Sequence, residues 1–242
     1  MRLKIMTMAC VLPMMAMAQH NMQWQRVEVT NELDSMPDTQ AMAILAKYKP
    51  AVDSIMAPVL GESLVGMSAR RPESLLSNWV ADAMVENSTF HDGKRADMGL
   101  VNVGGLRSNM PEGTVRRGDV IKISPFENKL AIVELTGADL MELFRNIASI
   151  KGEGVSREVR LVITSDGKLV SAKLNGKKIK AKKTYRVATL DYLAEGNDKM
   201  VALKRAKHLW VSDTLAREAM MQSILKAKTI TAAIEGRITI KD

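Results

Sequence analysis

The order of elements in this chain predicts an α/β or α+β class built on a mixed sheet. Three observations carry that expectation. Near-continuous apolar runs of strand length occur at 97–103 and 129–135, as in strands buried on both faces. At 74–87, Leu75, Leu76, Trp79, Val80, Ala83 and Met84 fall on one face at helical spacing. Two alternating runs, 158–164 and 168–174, flank Ser165-Asp166-Gly167, a hairpin signal.

The elements follow in order. The stretch WQRVEVT at 24–30 reads as a short strand, and 39–49 as a helix carrying Met42, Leu45 and Ala46 that ends near Pro50. The helix at 74–87 comes next, then the buried strand at 97–103 and the strand at 129–135. Thr136 with Asp139 resembles a capping box and opens a helix through about Ala148. The hairpin, a strand at 184–190, a helix at 214–227 and a final strand in GRITIKD complete the chain. No internal repeat or low-complexity tract interrupts this order.

The first 18 residues stand apart. Arg2 and Lys4 precede an apolar run that ends in Ala16-Met17-Ala18, the three parts of a secretory signal. The run is too short to span a membrane, so the expectation is export, to the periplasm or outside the cell, with cleavage near Ala18. The rival is lipidation at Cys10, but MTMAC is a poor lipoprotein box and leaves almost no apolar segment before it. Cleavage removes the only cysteine, which excludes disulfides, thiol catalysis and zinc–thiolate sites from the remainder. It also lowers the formal charge from +8 to +6 by taking Arg2 and Lys4. No later run is long and apolar enough for a membrane span. The expected organisation is a signal peptide at 1–18, an N-terminal extension at 19–57 and one domain at 58–242.

The basic balance favours anionic ligands or surfaces. Lys173, Lys177, Lys178, Lys180, Lys182 and Lys183 cluster, and read as a solvated hairpin. No aromatic residue is interleaved in the run from Lys173 to Lys183, so nucleic acid is not an expected partner.

A hydrolytic engine is missing from the pattern. His20, His91 and His208 lie far apart and in none of the spacings that hold a two-metal hydrolase site. There is no G-x-S-x-G elbow and no Walker lysine. The expectation is therefore no catalytic residue and no metal ligand in this chain. A binding site is better supplied. Asn102, Gly104, Gly105 and Arg107 follow an apolar strand, where glycines admit a ligand close to the backbone and an arginine can hold a phosphate or carboxylate. The plain alternative is a turn. Pro125-Phe126-Glu127-Asn128 adds a ring and an amide, with Phe126 as a core residue the alternative. Tyr192 and the Gly196-Asn197-Asp198 turn follow the strand at 184–190, with ordinary loop punctuation the alternative. Together these groups suit a nucleoside: rings stack a base, a carboxylate accepts from ribose hydroxyls, arginines hold phosphate.

Four stretches in this order carry a resemblance: RRPESLLSNWVADAM, VNVGGLR, GDVIKISPFENKLAIVELTGADLMELF and TYRVATLDYLAEGND. The run of roughly 58–240 is similar to the C-terminal, substrate-binding domain of the 5′-nucleotidase / UDP-sugar hydrolase family. That resemblance implies an α+β domain with a mixed sheet and packed helices. It implies a base held between Phe126 and Tyr192, where the family usually has Phe. It implies orienting amides at Asn102 and Asn128, phosphate contacts from Arg107 and from Arg70 or Arg71, and ribose held by Asp198. Two departures bear on the pocket. Asn197 and Lys199 stand where the family turn has glycines, and Val103 replaces a glycine of the first loop. Asparagine tolerates the left-handed region and lysine does so poorly.

The family's two-domain enzymes carry a metallophosphatase domain with two metals before this one, and residues 19–57 lack its ligands. The resemblance thus implies a stand-alone substrate-binding half, holding nucleotide for hydrolysis by a separately encoded metallophosphatase that supplies divalent metals. This chain itself needs no cofactor on that reading, and its hydrolase role is as one half only. The alternatives are a secreted nucleotide- or nucleoside-binding module without turnover, and an envelope protein with a degraded pocket.

Overall fold

The structure is a computed structural model that describes residues 24–35 and 37–242. The expected signal segment, with Cys10, lies outside the described residues. The chain divides into two units between Lys47 and Tyr48.

In the first unit, 24–30 is not the strand its sequence predicts. It pairs with no strand among the described residues, and Trp24, Val27 and Val29 stand exposed. β-propensity describes how a side chain fits a half-buried sheet, and without a partner strand it organises nothing. Helix α1 (Thr39–Met56) contains the boundary, its residues from Tyr48 onward belonging to the second unit, and starts at Asp38, whose Oδ1 accepts from the amides of Gln40 (2.8 Å) and Ala41 (3.1 Å). It runs past Pro50 rather than ending there. Pro50 removes one amide donor, but the helix is exposed, so water can take the freed carbonyl. A Lys49–Asp53 ion pair bridges the turn that contains the proline.

The second unit is a mixed α+β domain with three sheets. In chain order its elements are β1 (Val59–Ser63), α2 (Leu75–Glu86), β2 (Met98–Val101), β3 (Gly113–Arg116), α3 (Arg117–Ile123) and β4 (Lys129–Thr136). There follow α4 (Gly137–Ser149), β5 (Gly154–Val155), β6 (Val159–Ile163), β7 (Leu169–Leu174), β8 (Lys177–Lys178) and β9 (Thr184–Leu190). The last are α5 (Asp191–Ala194), β10 (His208–Leu215), α6 (Ala216–Ala227), β11 (Thr229–Ile230) and β12 (Ile238–Ile240). The central sheet has the order β10-β4-β9-β2-β5, antiparallel except where β9 runs parallel to β2. Smaller sheets have the orders β11-β1-β3 and β12-β6-β7-β8.

The continuous apolar runs sit where two-sided burial requires them. All four residues of β2 are buried, as are Leu130 to Val133 of β4. Ser74 caps α2 by accepting from the Ser77 amide, and Leu76, Trp79, Val80, Ala83 and Met84 of its apolar face are buried. The other side of α2 is closed by charge. Asp82 receives both terminal nitrogens of the buried Arg237 at 2.9 Å, and Arg157 from a second direction at 2.8 Å. Arg237 also donates to the Asn78 and Val155 carbonyls (3.1 and 2.9 Å). This network ties the segment leading into β12 to α2.

The α4 cap is as the sequence predicts: Thr136 Oγ1 accepts from the Asp139 amide at 3.2 Å. The register between β4 and β9 pairs Leu130 with Leu190 and Thr136 with Thr184. It sets the ends of β2, β4 and β9 together, and the loops leaving them build the site.

Candidate functional site

A cavity of about 300 Å³ opens beside those loops, lined by Asn102, Gly104, Gly105, Phe126, Asn128, Tyr192 and Asp198. Asn102 ends β2 and starts a 3₁₀ turn, Val103–Gly105. Its side chain is buried, with Nδ2 donating to Asp198 Oδ2 at 2.6 Å and Oδ1 without a partner among the described residues. Gly105 makes room for that amide: a Cβ there would lie 2.6 Å from Asn102 Oδ1.

Phe126 leaves the end of α3 in the Pro125–Asn128 loop and is 46% exposed, so it is not a core residue. Tyr192 sits in α5, 38% exposed, and no ring contact joins it to Phe126 among the described residues. Both rings line the cavity. Asp191 fixes the start of α5, its Oδ1 accepting from the amides of Lys129 (3.0 Å) and Tyr192 (2.8 Å).

The turn after α5 takes left-handed backbone at three positions: Gly196, Asp198 (φ 50°) and Lys199 (φ 65°). The family's glycines would adopt this at little cost, and here Lys199 adopts it too. Asn197 lies outside the left-handed set, and its Nδ2 donates to the Tyr192 carbonyl at 2.8 Å. The turn aims Asp198 at the cavity. One carboxylate oxygen meets Asn102, and the other accepts from the Tyr192 hydroxyl at 3.1 Å. That bond and the nearby charge raise the Tyr192 hydroxyl above its ordinary value of 10.0, because both favour the protonated phenol.

The arginines stand differently. Arg107 is exposed; its Nη1 donates to the Gly104 carbonyl at 3.2 Å, which places it at the rim loop rather than on the cavity wall. Arg71 donates through Nε to the Gly152 carbonyl at 2.8 Å and pairs with Glu153. Arg70 is exposed and joins no ion pair among the described residues. The cavity thus gathers Asn102, Phe126, Asn128, Tyr192 and Asp198, and leaves Arg70, Arg71 and Arg107 outside its lining.

Two supporting residues lie outside the motifs read from the sequence. Glu153 is buried; its carboxylate pairs with Arg71 and accepts from the Val103 amide, so one acid links an arginine to the loop that carries Asn102. Burial raises its carboxyl above the ordinary 4.5, and the Asp198 charge adds to this, while the Val103 amide and Arg71 oppose it. The only hint was an acid set between Gly152 and Gly154. Arg217 of α6 donates to the carbonyls of Pro125 (3.2 Å) and Phe126 (3.1 Å), holding the Phe126 loop from behind. Among the described residues, no three His, Cys, Asp or Glu side chains gather to hold a metal ion, and no helix is long and apolar enough to cross a membrane.

Fold and cavity together define a substrate-binding domain. Residues 59–205 match the family described as 5′-nucleotidase, C-terminal domain, and the chain belongs to that family. It is similar to endonuclease YhcR of Bacillus subtilis (strain 168), 31% identical over 166 residues, covering 65% of this chain and 13% of that protein. It is similar also to protein UshA of Escherichia coli (strain K12), 31% identical over 106 residues, covering 43% of this chain and 19% of that protein. In structure it resembles the 5′-nucleotidase precursor from Thermus thermophilus, with a TM-score of 0.72 and 26% identity over 83% of this chain and 42% of that one. Each match spans less than half of the relative's length.

Proposed function

We propose that the cavity holds a nucleotide for hydrolysis by a separately encoded metallophosphatase. The observation that carries this reading is two half-exposed rings lining one cavity, with a carboxylate already oriented between an amide and a phenol. A base fits between Phe126 and Tyr192, and stacking of this kind contributes about 1–3 kcal/mol per base. Ribose hydroxyls donate to Asp198, whose oxygens are fixed before ligand arrives, so little ordering remains to be done on binding. Asn102 holds Asp198 ready for that contact, its Nδ2 donating to Oδ2, and Asn128 orients the ligand. The phosphate lies toward the Arg107 rim, at the mouth of the cavity. There a second chain can bring metals and nucleophilic water to it, and rate comes from positioning. Export through the 1–18 segment is part of the proposal, as is the nucleotide catabolism it would serve.

The test is reconstitution. Phosphate release from a nucleoside monophosphate is followed with a secreted metallophosphatase chain lacking its own C-terminal domain, with and without this protein. The reading expects release that needs both chains and falls at least about tenfold in Asp198→Ala, which removes a charge-assisted contact to ribose. Saturable nucleotide binding that never promotes release would favour the binding module without turnover.

A further inference from the structure

A second cavity, of about 270 Å³, lies at the other end of β9 and is lined by Lys177, Lys178, Lys180 and Lys183, with Tyr185 and Asp97 among its other walls. We propose that it is a separate anion site, taking a compact ligand that carries several phosphate groups. It does not depend on the nucleotide reading. Tyr185 and Leu190 stand five residues apart on β9, at least roughly 15 Å along the strand, and the first cavity begins beyond Leu190.

The charge is uncompensated. Four lysines face one aspartate, and among the described residues none of the four lies within ion-pair distance of a carboxylate. Asp97 is partly committed elsewhere, its Oδ2 accepting from the Arg186 amide at 2.8 Å. The sheet beside the cavity adds to the repulsion. Arg160 sits opposite Lys173 across β6 and β7, and Lys173 opposite Lys178 across β7 and β8. Like charges directly opposed across strands destabilise a sheet, so a bound anion would relieve a cost the free protein carries.

The lysines are held in place rather than strung on a loose loop. Asn175 (φ 51°) and Gly176 (φ 72°) form a tight turn between β7 and β8, as two-residue hairpins require. The Tyr185 hydroxyl accepts from the Lys180 amide at 3.0 Å, and the Lys183 ammonium lies 4.8 Å from the Tyr185 ring centre. The first turn of α4 pins the loop, the amides of Gly137 and Ala138 donating to the Lys183 and Ala181 carbonyls (2.8 and 3.1 Å). Only glycine fits at 137, since a Cβ would lie 2.1 Å from the Lys180 carbonyl oxygen. A fixed backbone that sets four lysines on the wall of one concave site suits a compact, multiply charged anion. Tyr185 is buried, so the cavity offers no open ring on which a base could stack, and single-stranded nucleic acid is disfavoured.

The experiment titrates the full chain with inorganic tripolyphosphate. The proposal expects saturable one-to-one binding that weakens as salt is raised. The pair Lys178→Glu and Lys180→Glu should weaken it at least about tenfold, by turning two attractions into repulsions. Lys178→Gln with Lys180→Gln gives a milder loss and serves if charge reversal prevents folding. Both pairs leave nucleotide affinity at the first cavity unchanged, and the tripolyphosphate signal reads this cavity whether or not a nucleotide binds the other. No binding at millimolar tripolyphosphate, or equal binding by the lysine variants, overturns the proposal. Phosphatidylglycerol vesicles or duplex DNA that bind without being displaced by tripolyphosphate overturn it as well, by showing an extended rather than a compact anion.

Discussion

A single methyl group at position 105 tests how the first cavity is held. A Cβ on Gly105 would lie 2.6 Å from Asn102 Oδ1 and 3.1 Å from both Cγ and Nδ2, so the amide must swing aside in Gly105→Ala. Its 2.6 Å bond to Asp198 is then lost. Bonds to charged groups contribute about 1.5–3 kcal/mol, and the lower end applies because Asp198 is exposed. Alanine returns roughly 0.5 kcal/mol by narrowing the unfolded chain's freedom. The expected net loss is about 1 kcal/mol in urea unfolding. Gly104→Ala is the control, because a Cβ there meets nothing within 4 Å, and its stability should stay within about 0.5 kcal/mol of wild type. The decisive arm is a double-mutant cycle. In an Asn102→Ala background the obstacle is gone, and Gly105→Ala should become neutral or slightly stabilising. Additive losses at the two sites, within about 0.5 kcal/mol, would refute the reasoning.

Three further outcomes are expected. Because the folded Glu153 carboxyl is raised, its stabilising contribution is complete below the unfolded value of 4.5 and is lost as pH rises through the folded value. Wild type should therefore lose stability relative to Glu153→Gln as pH rises above about 4.5 in urea melts, and parallel curves would contradict this. Lys199→Gly should stabilise by roughly 0.5–1 kcal/mol, the left-handed penalty relieved less the added freedom of glycine, as read by thermal or urea unfolding; a net loss there would mean the lysine side chain matters more than its backbone. Arg237→Met should cost about 3 kcal/mol by leaving the Asn78 and Val155 carbonyls and part of Asp82 unpaired, with faster amide exchange in β12. A loss below about 1 kcal/mol would show that Arg157 alone satisfies Asp82.

The sequence made the buried parts of this fold readable because burial writes a period or a run. The β2 and β4 runs, the α2 stripe, the α4 cap and the β6–β7 hairpin are each specified by their own residues. What it hid depends on partners. The strand expected at 24–30 has the right residues and no partner strand among the described residues, while β1 and β3 are short segments that pair mainly with each other. β10 was missed although His208, Trp210 and Ser212 alternate with Leu209 and Val211, because its edge position leaves both apolar residues half exposed. Pro50 misled because α1 is exposed along its length, where water can take the carbonyl that the missing amide frees. At the site, the polar and aromatic residues that converge on the cavity could be named from motif order. Glu153 and Arg217 could not, because each acts through long-range bonds to other residues' backbone groups.

The most direct test of the account is calorimetric titration of the chain with AMP, adenosine and UDP-glucose, in wild type and in Phe126→Ala. The account predicts saturable binding of at least one of them, weakened about tenfold or more in Phe126→Ala as one stacking face is removed. Binding that Phe126→Ala leaves unchanged, or no binding of any of the three at millimolar concentration, would contradict a nucleotide held between Phe126 and Tyr192.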